Sequence, residues 1–133
     1  PRMNIGQLSR RTGVPIDTVR YYEKQRLLPP PTRSASGYRH YEADDVLRLN
    51  FIRRAKVLGF TLDEIRDLLA LSSARDGDMA AIRAAAADKL ADVERRLAEL
   101  TRMRDGLRTL VEACPGHGAL DQCPIVGALG GEA

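Results

Sequence analysis

The sequence has few of the residues that mark secreted or membrane-inserted proteins. Its 133 residues include two cysteines and no tryptophan. No apolar run approaches the roughly 20 residues that span a bilayer, and the N-terminus has no signal-peptide core. We therefore expect a cytoplasmic protein with no membrane partner. Because that compartment keeps thiols reduced, the two cysteines predict metal binding or redox chemistry rather than a structural disulfide.

Residues that would form a catalytic centre are also scarce. The sequence has two histidines, and it shows neither a Ser/His/Asp arrangement nor a glycine-rich loop for phosphate. We therefore predict that the protein is not an enzyme. Hydrophobic residues at 44% and charged residues at 29% are ordinary for a folded domain, and this excludes a disordered chain.

Charge is divided unevenly along the chain. Residues 1–60 hold 12 Lys or Arg and 5 Asp or Glu, whereas residues 61–133 hold 9 and 13. The resulting balances of +7 and −4 add to the net charge of +3. A basic first half predicts contact with a polyanion, and an acidic second half predicts a different task.

The basic half has the pattern of a helix-turn-helix followed by a hairpin. A short amphipathic helix begins near Met3 and ends at Gly13, a residue suited to a left-handed C-cap. Pro15 fits the first turn of a second helix, which runs to Glu23. The prolines at 29–31 then forbid helix, and the Ser-Gly turn that follows predicts a small β-hairpin, or wing.

The remaining pattern is helical. Acids near 42–45 suit the start of a third helix that stops at Gly59, and Thr61 with Glu64 forms a capping box for a fourth helix. Residues 79–113 contain no proline and predict one helix of about 50 Å. Its apolar residues recur in heptads, as Leu90, Val93, Leu97, Leu100, Leu107 and Val111. So narrow a stripe predicts a homodimer joined by a coiled coil.

These elements give a mainly α fold with three parts. We expect a winged helix-turn-helix domain with connecting helices at 3–71, a dimerisation helix at 79–113, and a loop with a terminal helical turn at 114–129. In such a fold the second helix of the helix-turn-helix enters the major groove of double-stranded DNA, and the wing lies along the backbone or minor groove. The candidate DNA contacts are Thr18, Arg20, Tyr21 and Tyr22 on the helix and Arg33, Tyr38 and Arg39 on the hairpin.

The two tyrosines cannot play the same part. Adjacent helical residues point about 100° apart, so Tyr21 and Tyr22 cannot both face DNA, and one of them is expected to pack inward.

The loop between the cysteines is the candidate metal site. Cys114 closes the long helix, and Cys123 opens the terminal turn, with eight residues between them. Thiolates are soft donors that select Cu(I), Ag(I), Au(I) or Hg(II), and with more ligands Zn(II) or Cd(II). Two thiolates suit a linear monovalent ion, whereas zinc needs four donors and finds only His117 and Asp121 nearby as candidates.

Several motifs together resemble the MerR family of transcriptional regulators. These motifs lie at residues 5–8, 19–23, 27–29, 33–34, 37–41, 51–55 and 58–65. The similarity as a whole covers essentially Met3 to Leu129. The resemblance implies dimers with winged helices joined by an antiparallel coiled coil. It also implies repression by the apo dimer and activation by the effector-bound dimer, which untwists a long promoter spacer so that RNA polymerase can use both promoter elements.

The resemblance also bears on the effector. Divalent sensors of the family supply a third cysteine from the start of the partner's long helix, and here that position holds Met79. This favours copper, silver or gold, with Met79 as a lid or weak thioether ligand. The eight-residue loop and its Cys-Pro-Ile ending are instead typical of mercury sensors, so Hg(II) is the second hypothesis. Cys114 and Cys123 could also form a reversible disulfide in a redox sensor. A metal-buffering protein or metallochaperone is the hypothesis of another class, although it leaves the basic wing unexplained.

Overall fold

The computed structural model describes residues 2–33, 35 and 37–131. The chain is mostly helical and divides into two compact units, residues 1–89 and residues 90–133. The helices are α1 (Ile5–Thr12), α2 (Ile16–Lys24), α3 (Ala43–Val57), α4 (Leu62–Ser73), α5 (Met79–Ala113) and α6 (Pro124–Leu129), with one 3-10 turn at Leu120–Gln122. Strands β1 (Thr32–Arg33) and β2 (Arg39–His40) form an antiparallel hairpin. This confirms the mainly α fold with a small wing and a long C-terminal helix.

The ends of the first helices follow from local chemistry. Asn4 and Gln7 form a capping box at the start of α1, so that two free backbone N–H groups are satisfied. Gly13 ends α1 with φ of 73°, a left-handed value that a residue without Cβ adopts at no steric cost. The predicted capping box of Thr61 and Glu64 opens α4. Each of these boundaries is therefore fixed by residues next to it in the sequence.

The first unit contains the hydrophobic core. Leu8 of α1, Val19 of α2, Leu49 and Ile52 of α3 and Ile65 of α4 are all fully buried. Burial of a side chain of this size contributes about 1.5–3 kcal/mol, so these contacts hold the four helices as one body. Phe51, Phe60 and Leu62 pack against the same core from its edge.

The hairpin is held to this unit by backbone hydrogen bonds between Met3 and Tyr41. Met3 N donates to the carbonyl of Tyr41 at 2.9 Å, and Tyr41 N donates to the carbonyl of Met3 at 2.8 Å. Both side chains are buried. The start of the chain therefore extends the wing by one paired position and fixes its base beside α1.

The long helix has the predicted bounds, Met79–Ala113. Within the described residues, no helix is both long enough and apolar enough to cross a membrane. Most of the predicted heptad residues are exposed, with Leu90, Leu97, Leu100, Leu107 and Val111 each between 58% and 65% accessible, whereas Val93 is half-buried. A narrow exposed apolar stripe of this kind is the surface that a partner helix covers in a coiled coil.

Candidate DNA-binding surface and thiol site

The exposed face of α2 carries most of the predicted helix contacts. Arg20 is 57% exposed, and its guanidinium lies 3.9 Å from the Asp17 carboxylate, a surface pair that leaves it available to another anion. Thr18 is half-buried, and Tyr21 is 47% exposed. Tyr22 lies in the core with its ring centroid 6.2 Å from that of Tyr21. Of the two tyrosines, Tyr21 is therefore the one that is accessible to DNA.

The wing presents two of its three predicted residues outward. Tyr38 is 72% exposed, and Arg33 is also exposed. The Nη1 of Arg33 donates to the carbonyl of Gly37 at 3.1 Å, a contact across the turn that holds the guanidinium near the hairpin. Arg33 pairs with Arg39 in the strand register. The small hairpin thus carries two arginines, of which Arg33 presents its guanidinium at the surface, where it suits phosphate.

Arg39 is directed differently from Arg33. Its guanidinium lies 3.6 Å from the Oε2 of Glu23 at the end of α2, and its side chain is 35% exposed. The hydroxyl of buried Tyr41 donates to Oε1 of the same carboxylate. Burial, and after it the bond to Glu23, raise the pKa of the Tyr41 hydroxyl far above its usual value. Glu23 thus links α2, the second helix of the helix-turn-helix and hence its recognition helix, to the wing, a role that its position in the sequence did not predict.

A second set of contacts holds the turn between α2 and the wing. Arg26 has φ of 60°, a left-handed value that is uncommon for a residue with a side chain. The Nε of Arg48 in α3 donates to the carbonyl of Leu27 at 2.6 Å, and Nη2 of Arg66 in α4 donates to the carbonyl of Gln25. Arg66 thus satisfies a carbonyl at the C-terminal end of α2, and Arg48 satisfies one in the turn that follows it. Sequence reasoning missed them because an arginine on a helix gives no sign of a contact more than 20 residues away.

The two cysteines meet at the end of the long helix. Cys114 follows the last residue of α5, and Cys123 is the N-cap of α6. Their sulfur atoms are 3.8 Å apart, and both side chains are half-buried free thiols. The loop between them encloses a cavity of about 290 Å³, which is also lined by His117. The structure therefore brings together the two residues predicted as metal ligands.

The local environment of Cys123 favours the thiolate over the thiol. The pKa of the Cys123 thiol lies below its usual value, because backbone N–H groups of Val126 and then Ile125 stabilise the charged sulfur, with Cys114 as a further contact. Met79, which the sequence predicts as a lid or weak thioether ligand, is the first residue of α5 and is 86% exposed. Its predicted role as a lid concerns the Met79 that a second copy of the chain would place over this site.

Comparisons with known proteins agree with this architecture. The chain matches the family described as MerR HTH family regulatory protein over residues 3–72, and the family described as MerR, DNA binding over residues 46–110. A helix-turn-helix with a basic wing on such a chain defines a DNA-binding transcriptional regulator, not an enzyme. The protein belongs to the MerR family.

Individual relatives cover nearly the whole chain. The HTH-type transcriptional regulator HmrR of Rhizobium leguminosarum is 45% identical over 127 residues, which are 96% of this chain and 97% of that protein. The crystal structure of the transcription regulator PbrR691 from Ralstonia metallidurans in complex with lead(II) is similar at a TM-score of 0.85. It is 34% identical over 96% of this chain and 98% of that one. The regulator MerR from Bacillus megaterium in complex with mercury(II) has a TM-score of 0.68, with 36% identity and the same coverage of both chains.

Proposed function

We propose that this protein is a metal-responsive transcriptional regulator that binds a soft metal ion through Cys114 and Cys123. The ion that we place first is monovalent: Cu(I), Ag(I) or Au(I). The observation that supports this best is the 3.8 Å separation of two half-buried thiols at the mouth of one loop. Paired thiolates select soft ions over the hard ions that oxygen ligands bind. Two relatives with solved structures, each more than 30% identical, were crystallised with lead(II) and mercury(II).

The number of donors separates the candidate ions. Two metal–thiolate bonds of about 2.3 Å in line would span about 4.6 Å, so a linear site requires the sulfur atoms to move apart by less than 1 Å. The glycine-rich loop between them permits such a movement, which is consistent with a two-coordinate monovalent ion. The observed 3.8 Å also fits a bent arrangement with a third donor. Since His117 lines the same cavity, Hg(II) or another divalent ion is the second candidate.

The first unit, which carries the DNA-binding residues, would act as part of a homodimer. The exposed stripe on α5 is the surface for a second copy of the chain, and two copies would place two wings on successive turns of promoter DNA. The proposed contacts are those of Thr18, Arg20, Tyr21, Arg33 and Tyr38, with Arg39 reaching phosphate from its position against Glu23. Binding of the metal would change the distortion of the promoter and so the access of RNA polymerase.

The thiol site is tested by anaerobic titration of the reduced protein with Cu(I), Ag(I), Hg(II) and Zn(II) against a competing chelator. We expect one monovalent ion per protomer, bound with higher affinity than Zn(II). Cys114→Ser and Cys123→Ser should abolish this binding while operator affinity is retained, because the wing and α2 lie in the other unit. His117→Ala is the matched loop variant and should leave the affinity for Ag(I) unchanged.

Three results would change the assignment. A preference for a divalent ion that is lost in His117→Ala would establish the bent site with a third donor. If neither Cys→Ser variant changed the binding of any metal, the thiol site would be refuted. If no metal bound tightly but mild oxidation cross-linked Cys114 to Cys123, a redox sensor would replace the metal sensor.

A further inference from the structure

Lys89 is a buried lysine on α5. Its side chain is 8% exposed, and its Nζ lies 2.7 Å from Oε1 of Glu64 in α4. The same ammonium lies 5.6 Å from the centre of the Phe60 ring. Burial of an ammonium group is unfavourable unless it is paired, so the Glu64 carboxylate and the Phe60 ring both help to stabilise Lys89 in this place. Lys89 therefore fastens α5 to the beginning of α4.

The carboxylate that Lys89 contacts also caps α4. The backbone N–H of Thr61 donates to Oε1 of Glu64 at 2.8 Å, which is the oxygen that Lys89 approaches. Phe60 and Thr61 form the short link between α3 and α4, after Gly59 with its left-handed φ of 93°. A displacement of α5 must therefore either move this link or break the ion pair.

From α4 the contacts continue to the recognition helix. Arg66 lies two residues after Glu64, and its Nη2 donates to the carbonyl of Gln25, the C-cap residue of α2. The Nη1 of Arg66 is held by Asp63 at 2.7 Å. One short helix, α4, thus contacts α5 through Glu64 and the end of α2 through Arg66.

We propose that Lys89 is a positioning residue that transmits movement of α5 to the recognition helix. This inference rests on the proposed function, because it assumes that metal binding displaces α5. The displacement passes from Lys89 to Glu64, from Glu64 along α4 to Arg66, and from Arg66 to the end of α2. Lys89 is not one of the proposed metal ligands or DNA contacts, so we expect its effect on the coupling between the two sites and not on either affinity.

The test compares Lys89→Met with Arg95→Met. Methionine keeps the apolar stem that packs in the first unit and removes the charge. Arg95 lies on the same helix, is 68% exposed and pairs with Asp92 at 3.3 Å, so it is the matched control for the loss of a cation. The probes are Ag(I) and an operator duplex selected from a random library, with 2-aminopurine at its centre to report the distortion.

We expect Lys89→Met to bind Ag(I) and operator within about threefold of the wild type, because it contacts neither. The factor by which Ag(I) shifts the operator between its two conformations, measured from 2-aminopurine fluorescence, should fall by roughly 2- to 30-fold. Glu64→Gln should act in the same direction, and Lys89→Arg should retain most of the response because the charge remains. Arg95→Met should respond like the wild type.

The outcomes separate the two proposals. If the wild type itself responds neither to Ag(I) nor to Hg(II), the proposed function is refuted and the coupling role with it. If the wild type responds and Lys89→Met and Glu64→Gln respond equally, the coupling role alone is refuted. If Lys89→Met fails to fold, a Lys89→Arg response as weak as that of Glu64→Gln would equally contradict a role for the charge.

Discussion

Replacing Tyr41 by phenylalanine tests the link between the recognition helix and the wing. The change removes one hydroxyl and keeps the buried ring, so the core volume is nearly unchanged. The hydroxyl donates to the carboxylate of Glu23, whose side chain is only 11% exposed. A hydrogen bond to a charged group contributes about 1.5–3 kcal/mol, and its loss leaves a largely desolvated carboxylate with Arg39 at 3.6 Å. We therefore expect the free energy of unfolding to fall by about 1.5–3 kcal/mol.

The measurement is urea unfolding of the metal-free protein, followed by circular dichroism at one fixed protein concentration, because association would shift the midpoint. Tyr21→Phe is the matched control, since it removes the same group from an exposed ring on α2. The control should change the free energy of unfolding by less than about 0.5 kcal/mol. Equal effects of the two substitutions would refute the assignment of Glu23 as the link.

The same comparison at different pH values tests the Tyr41 hydroxyl independently. The pKa of Tyr41 is raised in the folded state, so the folded state holds this proton more tightly than the unfolded state. The contribution of Tyr41 to stability is therefore fully present below the usual tyrosine pKa of about 10 and is lost as the pH rises above it. The difference between wild type and Tyr41→Phe should be constant at neutral pH and should shrink only in alkali.

Three further predictions concern other sites. Iodoacetamide should alkylate Cys123 faster than Cys114 near neutral pH, because the pKa of the Cys123 thiol is lowered; peptide mapping would show the order, and equal rates would contradict it. The pKa of Glu64 is lowered, first by Lys89 and then by the Thr61 N–H, so its stabilisation is present above the usual carboxylate pKa of about 4.3 and is lost in acid. Glu64→Gln should flatten that acid-side loss of stability in thermal melts, and an unchanged slope would count against the pair. Arg33→Ala should weaken operator binding and reduce the slope of log Kd against log salt by about one phosphate contact, whereas an unchanged slope would mean that Arg33 does not reach DNA.

Local signals in the sequence were sufficient for most of the fold. Gly13, the capping box of Thr61 and Glu64, and the proline-free stretch 79–113 each depend on neighbours within one or two turns. The bounds of the helices could therefore be predicted closely. The proximity of Cys114 and Cys123 was also open to prediction, because a loop of only eight residues with several glycines permits its two ends to meet.

Contacts between distant segments were not predictable in this way. The direction of Arg39 towards Glu23, the bond from Arg66 to the carbonyl of Gln25, and the burial of Lys89 all depend on how separate helices pack. Arg39, Arg66 and Lys89 all have charged side chains, which are expected from sequence alone to lie on a solvated surface. Tyr21 and Tyr22 were predictable only in part. Helical geometry requires that they point in different directions, but only the packed structure shows that Tyr22 is the buried one.

The exposed heptad stripe has a consequence for how the protein would report on its ligand. From Leu90 to residue 131 every described side chain is partly or fully open to solvent, so the order of this segment depends on what it associates with. If a second copy covers that surface and thereby stabilises the metal-bound loop, the apparent metal affinity should rise with protein concentration, since assembly and metal binding are then linked. The abundance of the regulator would then set its detection threshold.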